Sequence, residues 1–265
     1  MKKCIWCSLS EPFVTFKNKA HTIPQSLGGE NICENICDSC NSYFGKHSLG
    51  SPSIETIIKE TFNLSRTRLL NQKEYLGNQK KQFKFSSVFF SVNNKTNKLS
   101  LKLKYQLFPS FQEKIGRQMK KGIYKIFLEE TERQKGTAHD PKYDFIREYA
   151  RYNFGDYPLI YFERKFGVFM TSQSWVEHPV LFLDGDQPFK YLISTQSFFE
   201  FELLGHVFGI ATSKSSKLVF DDYIKKTIKA KKQFFRGLRV VEKFNDVDLS
   251  LSILDDHYRP LQFLF

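Results

Sequence analysis

Apolar and polar residues repeat along this chain with two different periods, and the changes of period mark out its elements. From Ser53 to Leu70 the apolar positions Ile54, Ile57, Ile58, Phe62, Leu69 and Leu70 fall near helical spacing, which predicts an amphipathic helix. From Phe111 to Leu128 they recur at every fourth residue (Phe111, Ile115, Met119, Ile123, Phe127). That predicts a second, longer helix, with Arg117, Lys120, Lys121 and Lys125 left for its exposed face. Asp140-Pro141 is a start signal for another helix, running to about Asn153. A period of two governs Leu99 to Leu107, where leucines and Tyr105 alternate with Ser100, Lys102, Lys104 and Gln106. Paired with Phe83 to Val92 across a turn at Asn93 to Asn97, this segment predicts a hairpin. Further strands are expected at Leu159 to Phe162, Phe166 to Met170 and Phe198 to Ala211. Val180 to Leu183 and Tyr191 to Ile193 are expected to pair across an Asp184-Gly185-Asp186 turn. Helices and strands are unevenly mixed, so residues 51–265 read as an α+β domain.

Residues 1–50 have a different texture. Phe13 to Phe16 and Lys19 to Ile23 read as extended with a bend at Asn18, and Pro24 and Gly28-Gly29 mark a loop. Asn31 to Ile36 returns as a second strand. Asp38 then reads as the N-cap of a short helix from Ser39 to about His47. The five cysteines all fall in this segment, and four of them form two Cys-x-x-Cys pairs, Cys4/Cys7 and Cys37/Cys40. Two intervening residues make a tight knuckle that turns both sulfurs toward one tetrahedral ion. Four thiolates suit zinc, which has no redox chemistry and leaves no open position in such a site, so this ion should be structural. Cys33 is left over and reads as a small buried residue.

Composition narrows the classes. Hydrophobic residues make up 41% and charged residues 26% of the 265, enough apolar surface for a real core. No stretch approaches the ~18 uncharged apolar residues of a membrane span. The Met-Lys-Lys-Cys start lacks the apolar core of an export signal, so the expectation is a cytoplasmic protein. Net charge is +12. Within residues 1–50, Lys2, Lys3, Lys17, Lys19 and Lys46 are nearly balanced by Glu11, Glu30, Glu34 and Asp38, so almost all the excess lies beyond them. A basic excess of that size points to an acidic partner, nucleic acid first. One run stands out: Lys225, Lys226, Lys229, Lys231, Lys232, Arg236 and Arg239, with Phe234 and Phe235 interleaved. On a helix Lys225, Lys229 and Lys232 share a face. Together with Lys226 and Arg236 they are candidate phosphate contacts, although a charge run is more commonly a solvated face. His139, His178, His206 and His257 are dispersed and read as packing or surface residues.

The segment between the cysteine pairs carries Ala20-His21-Thr22-Ile23-Pro24, then Gly28-Gly29, then Asn35-Ile36-Cys37-Asp38-Ser39-Cys40-Asn41. In combination, over residues 4–47, these resemble the HNH endonucleases, the ββα-metal nucleases, in the zinc-stapled form with two Cys-x-x-Cys pairs. The resemblance implies a ββα-metal fold and cation-dependent hydrolysis of DNA phosphodiesters. It makes His21 the general base, Asn35 the residue orienting it (with Asn31 competing for that role), and Asn41 the ligand of a catalytic Mg²⁺ or Mn²⁺. The residue types suit the task. Imidazoles titrate near neutrality and can take a proton from water, while a hard cation with oxygen ligands stabilises the phosphate and leaving oxygen. Many members carry Asp or Glu directly before the first histidine, where this chain has Ala20; that leaves the metal site neutral, or lets Glu30 or Asp38 contribute. His47, beyond Asn41, reads as a solvated histidine at a helix end. Similar nuclease heads on unrelated bodies often serve in restriction or phage defence. The reading is thus an HNH nuclease module, 1–50, fused to an α+β substrate-recognition or partner domain, 51–265, with DNA as partner and a second copy or a protein partner able to dock on the larger domain. The alternatives are a non-catalytic zinc protein that binds DNA, and a nuclease effector silent until a partner or ligand engages the C-terminal domain.

Overall fold

In this computed structural model, residues 2–47, 50–71, 85–93, 99–168, 174–183 and 191–252 are described. The chain opens with a small ββα unit. β1 (Ala20–His21) pairs antiparallel with β2 (Ile32–Cys33), in the register Ala20 to Cys33 and His21 to Ile32, and α1 (Asp38–Gly45) follows. The two glycines of the intervening loop are required sterically. Gly28 has φ of 84°, and a Cβ there would meet the Glu177 carbonyl oxygen at 2.0 Å; at Gly29 it would meet the Ile23 carbonyl oxygen at 2.0 Å. Two local expectations are corrected. Cys37, not Asp38, is the N-cap of α1. Asp38 begins the helix and turns its carboxylate back to the Thr15 hydroxyl and the N–H groups of Lys17 and Asn18. Those bonds, Thr15 first, hold its carboxyl below the usual range. They also fix residues 13–16 as an irregular turn rather than a strand.

α2 (Ile54–Leu70) starts where the sequence places it, with the Ser53 hydroxyl accepting from the Thr56 N–H at 3.1 Å. A short hairpin, β3 (Phe90–Val92) with β4 (Leu99–Leu101), comes next. Its alternation does not mark a core face: Leu99 and Leu101 are exposed, and so are Leu103 and Leu107 beyond the strand. Residues 83–84 of the first arm and 94–97 of the turn lie outside the described residues.

The centre of the molecule is α3 (Pro109–Lys135), which runs nine residues further than the fourfold repeat of isoleucine, methionine and phenylalanine implied at its ends combined. Ile115, Met119 and Ile123 are fully buried. At Gly122 a Cβ would lie 2.2 Å from Ile58 Cγ1, so the glycine lets α2 and α3 approach closely. The polar side of α3 is not exposed, contrary to the sequence expectation: Lys120, Lys121 and Lys125 are buried, and Arg117 is half-buried. The reason is that other elements cover that side and supply partners. Lys120 meets Asp156 at 2.8 Å, and Lys125 meets Glu129 at 2.8 Å. Lys121 has no such acid among the described residues, and its burial, with Arg117 nearby, lowers its pKa to about 8.

After α3, the segment begun by Asp140 is a broken helix: a 3-10 turn (Pro141–Tyr143), α4 (Asp144–Ile146) and a π-helical stretch (Arg147–Arg151). An antiparallel sheet in the order β6-β7-β5-β8 closes the body, built from β5 (Leu159–Arg164), β6 (Phe198–Leu203), β7 (His206–Ala211) and β8 (Phe235–Val240). The run from Phe198 to Ala211 is two strands, not one, turning at Leu204 and Gly205 with φ of 49° and 85°. Val180–Leu183 and Tyr191–Ile193 are not strands; Ile193 accepts from the Glu200 N–H of β6 at 3.1 Å, and the next residue, Ser194, forms a single bridge with Phe199. Residues 166–168 are likewise irregular, and 169–170 and 184–186 lie outside the described residues. α5 (Ser174–Glu177) is one turn, and α6 (Phe220–Lys231) covers the sheet. Phe198 stacks on Tyr223 of α6 at 4.0 Å, while Phe199 on the opposite side of β6 meets Phe127 of α3 at 5.3 Å. The expected α+β class therefore holds, with a ββα unit at the N-terminus. One hydrophobic core runs without a break from Trp6 and Phe44 through α2 and α3 to the sheet. No described helix is long and apolar enough to cross a membrane.

Candidate functional site: a cysteine cluster and the cavity beside it

The two cysteine knuckles are brought together by backbone bonds. The Ile5 N–H donates to the Asn35 carbonyl at 2.9 Å, and Ser8 N–H closes the first knuckle on the Cys4 carbonyl at 2.9 Å. The Sγ atoms of Cys4, Cys7, Cys37 and Cys40 all lie within 4.8 Å of one another, and Cys7 and Cys37 stand 3.8 Å apart. Four sulfurs at ~2.3 Å from a tetrahedral zinc would stand about 3.8 Å apart, so the cluster fits that ion. Two N–H groups point at the sulfurs, Cys37 N at Cys4 Sγ (3.4 Å) and Arg151 Nε at Cys40 Sγ (3.5 Å), and both favour thiolate. Cys33 stays apart, buried, as expected; desolvation and the nearby Glu129 push its thiol far above the usual range.

Beside this cluster a cavity of about 410 Å³ is lined by His21 from β1 and Asn41 from α1. β1 alternates, so Ala20 points into the core and its neighbour His21 is half-exposed. Its Nδ1 is buried without a hydrogen-bond partner among the described residues. The His21 carbonyl is anchored from below by Lys125 Nζ at 3.0 Å, the same ammonium that binds Glu129. Asn41 follows Cys40 in the first turn of α1, so the cysteine knuckle that would hold zinc also sets the direction of the carboxamide. Lys19, Gln25, Glu55 and Lys59 are among its other polar lining residues. The oxygen donors of Gln25, Asn41 and Glu55 on one cavity are a donor set that fits Mg²⁺ or Mn²⁺.

α3 holds the whole unit in place through three carboxylates. Trp6 Nε1 donates to Glu129 (3.1 Å), Thr22 Oγ1 to Glu130 (2.5 Å) and Asn35 Nδ2 to Glu132 (2.6 Å). Asn35 is thus committed to α3 and is not among the residues lining the cavity. Asn31 lies closer to His21 along the hairpin: its carbonyl accepts from the Thr22 N–H at 3.0 Å. Neither acid considered as a substitute for Ala20 reaches the cavity. Asp38 holds the 15–18 turn, and Glu30 meets His178 Nδ1 at 2.9 Å. His47 is exposed, and its Nδ1 accepts from the Ser53 N–H at 3.2 Å. Of the basic run, Lys225, Lys226 and Lys229 are exposed on α6 and Lys232 just after it, with Lys226 paired to Asp222 at 2.7 Å. Lys231 is instead buried against Glu200 at 2.6 Å. Arg236 sits at the bulge in β8, in a different cavity of about 350 Å³ with Arg164 and Arg239.

Residues 4–51 match the family model of the HNH endonucleases. An HNH module therefore opens the chain, and its matched segment contains both His21 and Asn41. No curated protein and no solved structure matches the chain. Two cavity residues, Glu55 and Lys59, escape a motif-based reading because they lie beyond the matched segment, on α2. Their only trace in the sequence is an acid and a base four residues apart just after the Ser53 cap, a pattern common to helix starts.

Proposed function

We propose that this protein is a cation-dependent endonuclease that hydrolyses DNA phosphodiester bonds at the His21–Asn41 cavity. The observation that carries the reading is the placement of His21 and Asn41 on one cavity, with His21 Nδ1 buried and unpartnered. Asn41 would hold a Mg²⁺ or Mn²⁺ ion, which when bound supplies Lewis-acid stabilisation of the scissile phosphate and its leaving oxygen. His21 takes the proton from the attacking water. Lys125 fixes the backbone of His21, so the imidazole meets the water from a rigid strand. Lys19 and Lys59 flank the cavity with positive charge suited to phosphate oxygens, and the positive end of α1 adds to it. Asn31 is better placed than Asn35 to brace the hairpin that carries His21; Asn35 locks the module to α3. Lys225, Lys226, Lys229, Lys232 and Arg236 would position a duplex by its phosphates without reading sequence. The zinc would be structural.

The test is supercoiled plasmid incubated with the zinc-loaded protein in Mg²⁺, Mn²⁺ or EDTA, with His21→Ala alongside. Cation-dependent conversion to nicked circles that falls by at least ~10²-fold in the variant is expected. Equal nicking by both proteins would remove His21 from the chemistry. DNA binding with no cutting in any cation would favour a non-catalytic zinc protein.

A further inference from the structure

We infer that Glu55, on α2 and outside the HNH module, supplies the carboxylate ligand of the cation at the His21–Asn41 cavity. The inference rests on the nuclease reading above and takes up the one oxygen donor the module lacks, since position 20 is alanine and points into the core. Glu55 lines the same cavity as His21 and Asn41. Its Oε2 lies 3.3 Å from where a Cβ on Gly45 would stand, one helical turn after Asn41, so the carboxylate lies along that face of α1. Any larger side chain at position 45 would crowd it.

The carboxylate is not used up by the protein. Among the described residues its one charged partner is Lys125 Nζ at 3.8 Å, too far for a hydrogen bond, and that ammonium already binds the His21 carbonyl and Glu129. The Glu55 side chain is 33% exposed and lines the cavity. Its position is fixed by contacts around the first turns of α2. Ser53 caps α2, His47 accepts the Ser53 N–H, and Gly122 seats α2 on α3. A lone carboxamide is a neutral ligand, and hard divalent cations bind more tightly as the ligand charge count rises. The body of the protein would thereby complete the metal site of its own head.

A carboxylate in the first turn of a helix also favours the helix dipole, so the test must separate the two roles. Mn²⁺ binding to zinc-loaded full-length protein is measured by calorimetry for wild type, Glu55→Gln, Glu55→Asp and Asn41→Ala, with thermal melts and plasmid nicking on each. Glu55→Gln is expected to weaken Mn²⁺ binding at least about tenfold. Glu55→Asp, which keeps the helix-end charge but draws the carboxylate back, should melt like wild type yet bind several-fold more weakly. Wild-type affinity in Glu55→Gln, with wild type binding Mn²⁺ and nicking, would overturn the Glu55 assignment alone. A wild type that neither binds Mn²⁺ nor nicks would overturn the nuclease reading and this assignment with it.

Discussion

His206 lies between the rings of Phe62, Tyr161 and Phe208, fully buried, with neither ring nitrogen hydrogen-bonded among the described residues. Charging it there would cost solvation that only Asp248 partly offsets and that Arg164 opposes, and its pKa is lowered to about 3. The depressed value gives stability that is complete above the unfolded value near 6.5 and is lost as pH falls from there toward 3. His206→Phe should therefore show a flatter acid limb when unfolding free energy is measured by urea melts from pH 7 to pH 4; an unchanged slope would mean that the imidazole is hydrated. At this scale the sequence was informative where chemistry is local. The paired cysteines, His21 and Asn41 are legible because each knuckle and motif spans a few residues. Glu55 was not, because its place beside Asn41 depends on how α2 packs, and no spacing in the chain encodes that.

Elements were legible where a cap and a regular apolar spacing coincide. α2 forms where its Ser53 cap and apolar spacing put it, although Glu60 to Ser65 are buried all round. α3 has a readable apolar face, but its polar face is buried too, under partners far away in the chain: Trp6, Thr22, Asn35 and Asp156. A lysine that ends in such a pair looks the same in sequence as one in solvent. β6 and β7 are buried on both sides, so the alternation of Phe199, Phe201 and Leu203 with Glu200 and Glu202 does not mark a solvent face, and the Leu204-Gly205 turn between them lacks the usual Asn or Asp. The acids that interrupt β6 are accounted for by ion pairs, Glu200 with Lys231 and Glu202 with Arg164. The contact of α2 with α3 can be probed directly. Gly122→Ala gains roughly 1 kcal/mol of helix propensity, but drives a methyl into Ile58, and overpacking costs about 1–3 kcal/mol. A net loss of stability in urea melts is expected, relieved when Ile58→Ala is added; a more stable Gly122→Ala would show that the two helices do not pack this closely.

The molecule as a whole is organised around α3, which carries the nuclease-type head on three carboxylates at its C-terminal end and meets the sheet through Tyr124 and Phe127. Because one core joins head and body, the cysteine cluster should matter beyond its own segment. Removing zinc with a strong chelator, or replacing Cys40 with Ser, is expected to lower the melting temperature of the whole chain by at least ~5 °C in a single transition. Separate melting of a body unaffected by chelation would show that the head is an independent unit. The same arrangement places the cavity where head and α2 meet, so that its ligands come from both. The most direct measurement of the central claim is the rate of plasmid nicking as a function of Mn²⁺ concentration for wild type, His21→Ala and Asn41→Ala. With His21 as base and Asn41 as cation ligand, His21→Ala should stay near background at every concentration, while Asn41→Ala should recover as Mn²⁺ is raised. Wild-type rates from His21→Ala, or an Asn41→Ala curve that overlies wild type, would contradict it.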